Sequence, residues 1–370
     1  MRIAVLGTRG FPDIQGGVEV HCQNLYPRIA EKSGFEILVF TRKPYMKTNI
    51  KEYKGVKLIP LPAIKSKNLE TILHTFVGLL AAVKYKPNIV HFHGIGPSFF
   101  IPLAKLFGFK TVMTYHSANY RHLKWGRLAK LFLRISEFLG VTYADLVIAV
   151  SRSITNEISK KYKKEIIFIP NGVASPEIIH DDLFLQLYGL EREKYLLAIG
   201  RIVPEKGFSD LIAAFYNSNL SKSNWKLVIV GEADHKSSYS AEIEEKASRL
   251  KNIILTGFLS GRPLQALYSN AGLFIIPSYY EGLPIALLEA MSYGLSCIAS
   301  DISANRELGL EEERYFKPGD IPMLTKKIDA FSSNPIKVAG KTAKMASIVE
   351  MYNWDSIALK TIEAYKALWG

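Results

Sequence analysis

The chain is poor in cysteine, with Cys22 and Cys297 far apart among 370 residues. So few thiols exclude a disulfide framework and a cysteine-ligated metal centre, and they are typical of a reducing, cytoplasmic setting. Long apolar runs are also lacking, because the longest, near residues 75–83 and 97–106, are well short of the roughly 20 residues that span a membrane. The chain opens directly on an apolar strand, without a secretory signal pattern, so we expect a cytoplasmic protein that does not cross a membrane.

Acidic residues are scarce in the first half of the chain. Residues 1–190 hold 26 Lys and Arg against 13 Asp and Glu, whereas residues 191–370 hold 21 of each, so the net charge of +13 comes from the first half alone. This asymmetry predicts an acidic partner for the N-terminal half. Anionic lipid head groups, a phosphorylated acceptor and nucleic acid all fit it.

Apolar, strand-like runs alternate with helical stretches in two series. The runs are 2–7, 35–41, 56–60, 89–94, 111–116, 146–151 and 166–170, and then 195–200, 225–231, 252–257, 273–277 and 296–300. Such alternation predicts an α/β protein of two doubly wound, Rossmann-like domains that face a cleft. We place the first domain at 1–183 and the second at 190–353, with an amphipathic final helix, 354–370, packing back on the first.

The most informative motif covers residues 279–294, which read Tyr-Tyr-Glu-Gly-Leu-Pro-Ile-Ala-Leu-Leu-Glu-Ala-Met-Ser-Tyr-Gly. It follows a predicted strand, and we expect Pro284 at the first position of a helix that Gly294 ends. The free N–H groups and the dipole of a helix N-terminus favour phosphate or other oxygen-rich groups. The motif therefore predicts an anion site.

Two carboxylates belong to this motif. Glu281 lies just before the helix and Glu289 about a turn and a half inside it. Acidic side chains beside a bound anion make sense when they bind hydroxyl groups. A sugar nucleotide, with hydroxyls at both ends of a diphosphate, fits that pattern.

A glycine-rich turn follows the first strand and contains Gly16 and Gly17. Such a turn before a helix can bring backbone close to a phosphate, although it can also be a plain tight turn. Its spacing is not Gly-x-Gly-x-x-Gly and no acidic residue ends the second strand, so dinucleotide binding and an NAD-dependent oxidoreductase are disfavoured.

Arg201 and Lys206 follow the first strand of the second domain, between Gly200 and Gly207. A guanidinium and an ammonium on one loop are suited to neutralising a diphosphate. Two basic loop residues alone are commonly solvated surface, but Glu281 in the same domain favours a ligand site.

Histidines end two strands of the first domain, in His91-Phe-His93 and at His116. Histidines at such positions are candidates for ligand contact, although a buried histidine is often a packed, hydrogen-bonded residue. Their spacing is not that of a metal site, so we predict no bound metal.

A basic stripe runs over 121–134, where Lys and Arg recur every three or four residues beside Trp125, Leu128 and Phe132. A basic amphipathic helix can lie on an anionic membrane surface. The alternative is a solvated face on a helix that covers the sheet.

Taken together these motifs resemble glycosyltransferase family 4, with the two-domain GT-B architecture. The resemblance covers nearly the whole chain and depends on Gly16-Gly17, His116, 170–173, 200–207, 227–231 and 281–294. Less firmly, 7–10, 16–17 and 124–130 resemble rhamnosyltransferase-like members that extend lipid-linked surface polysaccharides.

The resemblance implies retaining transfer of a hexosyl or pentosyl group from a nucleotide-diphosphate sugar, with no bound metal and no other cofactor. It implies these roles: Glu281, His116, Arg201 and Lys206 as catalytic; Gly16, Gly17, Gly200, Phe258, Gly282, Leu283, Pro284 and Glu289 as donor-binding; His93 and Asn171 on the acceptor side. Residues 117–119, Ser-Ala-Asn, lack the acidic residue that some relatives carry after this histidine, which leaves the sugar contacts open.

We therefore predict a glycosyltransferase of cell-surface polysaccharide synthesis, with a saccharide or polyprenyl-linked acceptor and contact with the inner face of the membrane. A UDP-sugar epimerase on the same architecture is the alternative enzyme. A basic protein that binds anionic lipid or nucleic acid is the alternative without catalysis, although we expect no nucleic acid partner.

Overall fold

The computed structural model describes residues 1–46, 50–64, 66, 69–121, 125–333 and 341–369. The chain divides into two compact units. Unit 1 comprises Met1–Gly172 and Trp354–Gly370, and unit 2 comprises Val173–Asn353.

Strands and helices alternate along most of the chain. The strands are β1 (Arg2–Leu6), β2 (Glu36–Arg42), β3 (Glu52–Tyr53), β4 (Val56–Leu61), β5 (Ile89–His93), β6 (Lys110–Tyr115), β7 (Leu146–Ala149), β8 (Ile167–Phe168), β9 (Tyr195–Ile199), β10 (Lys226–Val230), β11 (Ile253–Gly257), β12 (Leu273–Ile276), β13 (Cys297–Ser300) and β14 (Tyr315–Phe316).

The α-helices are α1 (Gly17–Ser33), α2 (Glu70–Tyr85), α3 (Ile101–Leu106), α4 (Arg127–Tyr143), α5 (Arg152–Tyr162), α6 (Asp182–Leu187), α7 (Phe208–Asn217), α8 (Ser238–Arg249), α9 (Gly261–Asn270), α10 (Ile285–Ser292), α11 (Ser303–Arg306), α12 (Ile321–Ser333), α13 (Lys341–Met351) and α14 (Trp354–Trp369). No helix in the described part of the chain combines the length and the apolar character needed to cross a bilayer.

Unit 1 is built on an eight-stranded sheet in the order β3-β4-β2-β1-β5-β6-β7-β8, parallel except for the β3–β4 pair. The central strands are buried along nearly their whole length, which is why they read as continuous apolar runs. Each of the seven predicted runs contains a strand. The two-residue β3 was not predicted.

The last helix, α14, belongs to unit 1 and packs against α1. Its predicted apolar face is buried: Trp354, Ile357, Ala358 and Ile362 join the core that α1 and the sheet share. Gly172 makes room for this helix, because a Cβ there would lie 2.5 Å from Trp354 Cδ2. The helix therefore forms part of the core of unit 1.

Unit 2 has a six-stranded sheet in the order β11-β10-β9-β12-β13-β14, with parallel pairing between neighbours. The five predicted runs are strands, and the two-residue β14 was missed. The strand order reverses between β9 and β12. Ligands of such sheets bind beyond the carboxyl ends of the strands, at the point of reversal.

The boundary between the units lies earlier than the predicted interval of 183–190. Residues after 172 are held in unit 2 by hydrogen bonds to α9 and α10: Ile179 N donates to Ser269 Oγ (2.9 Å), Asn270 Nδ2 donates to Ile179 O (2.8 Å) and Tyr293 Oη donates to Glu177 O (3.3 Å). These bonds join residues about 90 or more positions apart, so the polar composition of the segment did not reveal them.

Candidate active site

Predicted site residues of unit 2 lie along one edge of its sheet. Gly200 and Arg201 follow β9, Phe258 follows β11, and Glu281 lies in the loop after β12. Because parallel strands end on the same side, the sheet brings these segments together as the sequence analysis expected.

Two loops at this edge are joined tightly. Gly207, with φ +66°, approaches the β12 loop so closely that a Cβ would lie 2.3 Å from Pro277 O. Tyr279 N donates to Glu205 O at 2.9 Å, and Tyr279 Oη donates to Asp210 Oδ2 at 2.7 Å. Only glycine combines this φ with this contact, so Gly207 fixes the two loops against each other.

The joined loops pair Lys206 with Glu281. Lys206 Nζ donates to Glu281 Oε1 at 2.6 Å, and Ser278 Oγ donates to the same oxygen at 2.6 Å. Both charged side chains are mostly buried, with 21% of Lys206 and 12% of Glu281 exposed. The carboxylate is therefore held in one orientation, with an ammonium beside it.

Arg201 has a different partner. Its Nη1 donates to Asp234 Oδ2 at 2.9 Å, in the segment after β10. Gly200 lies nearer to Lys206, since a Cβ there would be 3.3 Å from Lys206 Cδ and Cε. The two predicted cations thus share an edge of the sheet, but each is paired with its own carboxylate.

The helix after Glu281, α10, begins one residue later than predicted. Pro284 is its N-cap, with φ −76° and ψ 105°, and its carbonyl accepts from Leu288 N at 3.2 Å. Proline suits this position because the missing N–H is not needed there. No side chain of the described residues caps α10, which leaves the first-turn N–H groups for a ligand. Gly282 and the buried Leu283 lead into this turn.

Glu289 lies on α10 and contacts α9. Tyr268 Oη donates to Glu289 Oε2 at 2.8 Å, and the Tyr268 ring stacks on Tyr293 with centroids 5.2 Å apart. Burial raises the pKa of Glu289 to about 7, although the bond from Tyr268 acts in the opposite direction. The raised pKa favours the protonated carboxyl, which can donate a hydrogen bond as well as accept one.

Phe258 stands at the outer end of this edge. It follows Gly257, which has φ +73° and whose carbonyl accepts from Gly231 N at 2.8 Å. That bond closes the gap between the ends of β10 and β11. The Phe258 side chain stays partly exposed beside it.

The glycine turn of unit 1 places two glycines in different surroundings. Gly16, with φ +146°, precedes α1, and a Cβ there would lie 2.0 Å from Glu19 Oε2. Glu19 in turn accepts from Arg9 N at 3.0 Å. Gly17 is exposed, and among the described residues no atom other than those of its chain neighbours and of its own helix backbone lies within 4 Å of its Cβ position. The backbone angle and the close contact with Glu19 therefore explain why position 16 is glycine, whereas Gly17 is accessible to a ligand.

Three histidines meet at the carboxyl edge of the unit 1 sheet. His93 Nδ1 is 2.9 Å from His116 Nε2, and the ring of His21, from α1, lies 4.9 Å from that of His116. Asn171 Oδ1 is 3.0 Å from His21 Nδ1. The structure thus joins His93, His116 and Asn171, which were predicted separately, around His21, which was not predicted.

Neutral groups surround these rings. Tyr26 Oη contacts both His93 and His91, and the His91 Nδ1 is 2.6 Å from Tyr365 Oη. Burial lowers the pKa of His21 to about 4 and that of His91 to about 3, and it lowers the pKa of His93 and His116 as well. The cluster is therefore uncharged at neutral pH.

These rings could also hold a metal ion. Ligand nitrogens of His21, His93 and His116 all lie within 4.8 Å of one another, and the buried His21 Nε2 has no hydrogen-bond partner among the described residues. Neutral imidazoles are suitable ligands for zinc. The prediction of no bound metal rested on sequence spacing, without His21, and it stays a prediction.

The sequence predicted most of the site residues, but it did not predict the residues that contact them. Missed were His21, Tyr26, Ser278, Asp234 and Tyr268. His21 could have been found, because it lies one helical turn after Gly17 and so shares its side of α1. Tyr268 had no such signal, since its contact with Glu289 depends on how two helices pack.

Comparison with known proteins decides the family. The model described as "Glycosyl transferases group 1" matches residues 186–348, and that described as "Glycosyltransferase Family 4" matches residues 15–175. The chain is a family 4 glycosyltransferase. The two matches correspond to the two series of strands, and the prediction of family and enzyme class is confirmed.

Relatives of this glycosyltransferase match either nearly its whole length or a part of it. An uncharacterized glycosyltransferase of Methanocaldococcus jannaschii is 26% identical, over 99% of this chain and 98% of its own. An Escherichia coli UDP-Gal:α-D-GlcNAc-diphosphoundecaprenol α-1,3-galactosyltransferase is 31% identical over 38% of each chain. The Anabaena protein Alr3699/HepE, solved with UDP and glucose, is 17% identical over 99% of this chain and 100% of its own, with a TM-score of 0.79. The predicted GT-B fold is confirmed, and the rhamnosyltransferase-like branch stays a prediction.

Proposed function

We propose that this glycosyltransferase moves a sugar from a nucleotide-diphosphate donor to a saccharide or lipid-linked acceptor in cell-surface polysaccharide synthesis, with retention of configuration. The observation that carries the proposal is the Lys206–Glu281 pair, which lies beside the uncapped start of α10. Together they form a site for a phosphate group that is linked to a hydroxyl-bearing sugar.

The cations of unit 2 stabilise the leaving group. As the bond to the transferred sugar breaks, negative charge develops on the diphosphate, and Lys206, Arg201 and the N–H groups of α10 supply positive charge without rearrangement. In this proposal the nearby carboxylates keep both cations in place before the donor binds. These groups do the work that a metal ion would do, so we propose a metal-independent reaction.

The two carboxyl groups bind the ends of the donor. Glu281, fixed by Lys206 and Ser278, accepts from hydroxyls of the transferred sugar. Glu289 binds the ribose, and its pKa of about 7 lets it accept from one hydroxyl and donate to another. Phe258 packs on the base. The roles of Gly17, His93, Asn171 and His116 in unit 1 remain predictions of the family resemblance.

The relatives support the substrate classes. Alr3699/HepE was solved with UDP and glucose, and the E. coli relative uses UDP-Gal with a diphosphoundecaprenol-linked acceptor. We therefore propose a uridine diphosphate sugar as donor and a polyprenyl-linked saccharide as acceptor. Such an acceptor would place the enzyme in the cytoplasm, at the inner face of the membrane.

Donor binding and transfer test the proposal together. We expect Lys206→Ala and Glu281→Gln to lower transfer about 100-fold or more, as loss of one group that stabilises the leaving charge does in other enzymes. Lys222→Ala, at an exposed lysine of the same unit, is the matched control and should keep full activity. Full activity in both site variants would contradict the proposal.

Ligand-dependent unfolding separates binding from chemistry. UDP at about 100 times its dissociation constant for the wild type should raise the free energy of unfolding of the wild type by roughly 2.7 kcal/mol. The same UDP concentration should raise that of Lys206→Ala by less, because this variant binds UDP more weakly. Proton NMR of the product reports whether the anomeric configuration is retained. A donor that changes its stereochemistry with no acceptor present would indicate an epimerase instead.

A further inference from the structure

Two neighbouring helices of unit 1 expose apolar side chains where a protein in water normally exposes polar ones. On α4, Leu128, Leu131, Ile135 and Phe138 face solvent, and Leu128 is 84% exposed. On α2, Leu73, Phe76, Val77 and Leu80 do the same. Their spacing of three and four residues makes one continuous apolar stripe on the outer side of each helix, opposite its buried face.

The two helices that carry these stripes pack on the same short turn, Pro97–Phe100. A Cβ on Gly96 would lie 3.6 Å from Thr71 Cγ2 on α2 and 3.8 Å from Leu133 Cδ2 on α4. Aromatic contacts link the same elements, with the ring centroids of Phe76 and Phe100 5.7 Å apart and those of Phe99 and Phe132 5.1 Å apart. We call the exposed residues of these stripes the α2–α4 surface.

The charge around this surface is mostly positive, although Lys105 is paired with Asp145 and Arg121 with Glu157. Exposed or half-exposed basic residues of the segment are Lys84, Lys86, Lys105, Lys110, Arg121, Arg127, Lys130 and Arg134, and Lys124 lies outside the described residues. Its acidic residues, Glu70 and Glu137, are buried and hydrogen-bonded, Glu70 to Arg42 and Glu137 to Tyr115. The described residues between 69 and 143 therefore present exposed basic side chains, and no exposed carboxylate, beside exposed leucine and phenylalanine.

We propose that the α2–α4 surface docks on an anionic phospholipid bilayer, with its leucine and phenylalanine side chains in the interface and its lysines and arginines at the head groups. This inference rests on the proposed function, in particular on the proposed polyprenyl-linked acceptor. The combination of apolar insertion with a basic rim is the pattern of interfacial helices. A second copy of the chain is a poor occupant, because two such surfaces would bring like charges together.

Vesicle binding by the full chain tests the proposal. We expect flotation with vesicles of 30% phosphatidylglycerol in phosphatidylcholine, weak binding to pure phosphatidylcholine, and release of most of the protein between 0.1 and 0.5 M NaCl, because salt screens the head-group attraction. The double variant Leu131→Gln/Phe138→Gln should lower the partition coefficient about 10-fold or more, since it removes two inserted side chains.

A matched control distinguishes this surface from general apolar exposure. Leu183→Gln/Leu187→Gln changes two leucines of α6 in unit 2 that are 76% and 81% exposed, and it should leave vesicle binding as in the wild type. Equal loss in both double variants, or no binding of the wild type to anionic vesicles, would overturn the proposal. Sedimentation of the lipid-free protein adds a further check, because a dimer that Leu131→Gln/Phe138→Gln dissociates would assign the surface to self-association.

The outcome is separable from that of the proposed function. Leu131 and Phe138 lie outside the donor site, so the double variant should keep wild-type UDP binding and wild-type transfer to a water-soluble acceptor. Loss of vesicle binding with donor binding intact bears on the surface alone. Failure of the wild type to bind UDP bears on the proposed function.

Discussion

The two units share a construction and differ in charge. Each places its candidate residues at the carboxyl edge of a parallel sheet, yet unit 1 holds 28 Lys and Arg against 12 Asp and Glu, whereas unit 2 holds 19 against 22. At the site itself the difference is reversed, because unit 1 offers uncharged, buried imidazoles and unit 2 offers paired ions. Overall charge and site chemistry are thus set independently in the two units. The overall charge of unit 1 suits an acidic partner surface, whereas the site of unit 2 suits a small charged ligand.

The largest change in stability that we expect comes from a substitution that separates the two joined loops of unit 2. Gly207→Ala adds a Cβ 2.3 Å from Pro277 O at a φ of +66°, so we expect a loss of about 4 kcal/mol in the free energy of unfolding. Gly309→Ala is the control, with φ +68° and open space, and should cost about 1 kcal/mol. Urea denaturation measures both. Similar losses in the two variants would show that the loop contact is unimportant.

The histidines of unit 1 predict a stability that rises with pH. Burial lowers the pKa of His21 to about 4 from 6.5, so between these values the unfolded chain binds more protons than the folded one. The contribution is complete above pH 6.5 and falls by about 3 kcal/mol at pH 4. In His21→Gln the free energy of unfolding should depend less on pH between 4 and 6.5, and above pH 7 the curves of the variant and of the wild type against pH should run parallel. Urea denaturation at several pH values measures both curves. An unchanged slope between pH 4 and 6.5 would contradict the assignment.

Glu289 predicts the opposite trend for unit 2. Its pKa is raised from 4.5 to about 7, so the folded state binds more protons in that window and stability falls as pH rises through it. Glu289→Gln should therefore exceed the wild type by about 2 kcal/mol at pH 8, because partial exposure reduces the full value, and by little at pH 4.5. Calorimetry at both pH values measures this difference. The same variant should bind UDP more weakly, and a variant that is no more stable at pH 8 would refute the trend.

The smallest effect on folding belongs to the glycine turn of unit 1. Gly17→Ala adds a methyl group to open space and should change the free energy of unfolding by less than about 0.5 kcal/mol. If Gly17 approaches a ligand, transfer should nevertheless fall. Gly16→Ala, with φ +146° and a Cβ 2.0 Å from Glu19, should destabilise unit 1 clearly. Wild-type activity in folded Gly17→Ala would make this turn structural only.

Most of the fold could be predicted because parallel strands covered on both faces are continuous apolar runs. The two-residue strands β3 and β14 are too short to produce such a pattern. The boundary was placed too late because the segment around Ile179 is polar, and its hydrogen bonds to Ser269 and Asn270 involve distant residues.

The site could be predicted as a set of residues but not as a set of contacts. Glu281 and Lys206 were recognised from the loops that carry them, yet their pairing depends on β9 lying beside β12. Likewise Arg201 was grouped with Lys206, and its partner Asp234 follows a different strand. Strand order is a property of the whole sheet, so local sequence does not contain it.

The return of the chain to unit 1 affects the order in which the two units can complete their folds during synthesis. Unit 2 is one continuous stretch whose ends meet, since Val173 N donates to Tyr352 O at 2.8 Å and Val173 pairs with Asn353. Unit 1 needs Trp354 and Tyr365 for its core, and these are translated after the whole of unit 2. On the ribosome the second unit can therefore complete its fold while the first still awaits its closing helix, so the N-terminal sheet must stay soluble through most of synthesis.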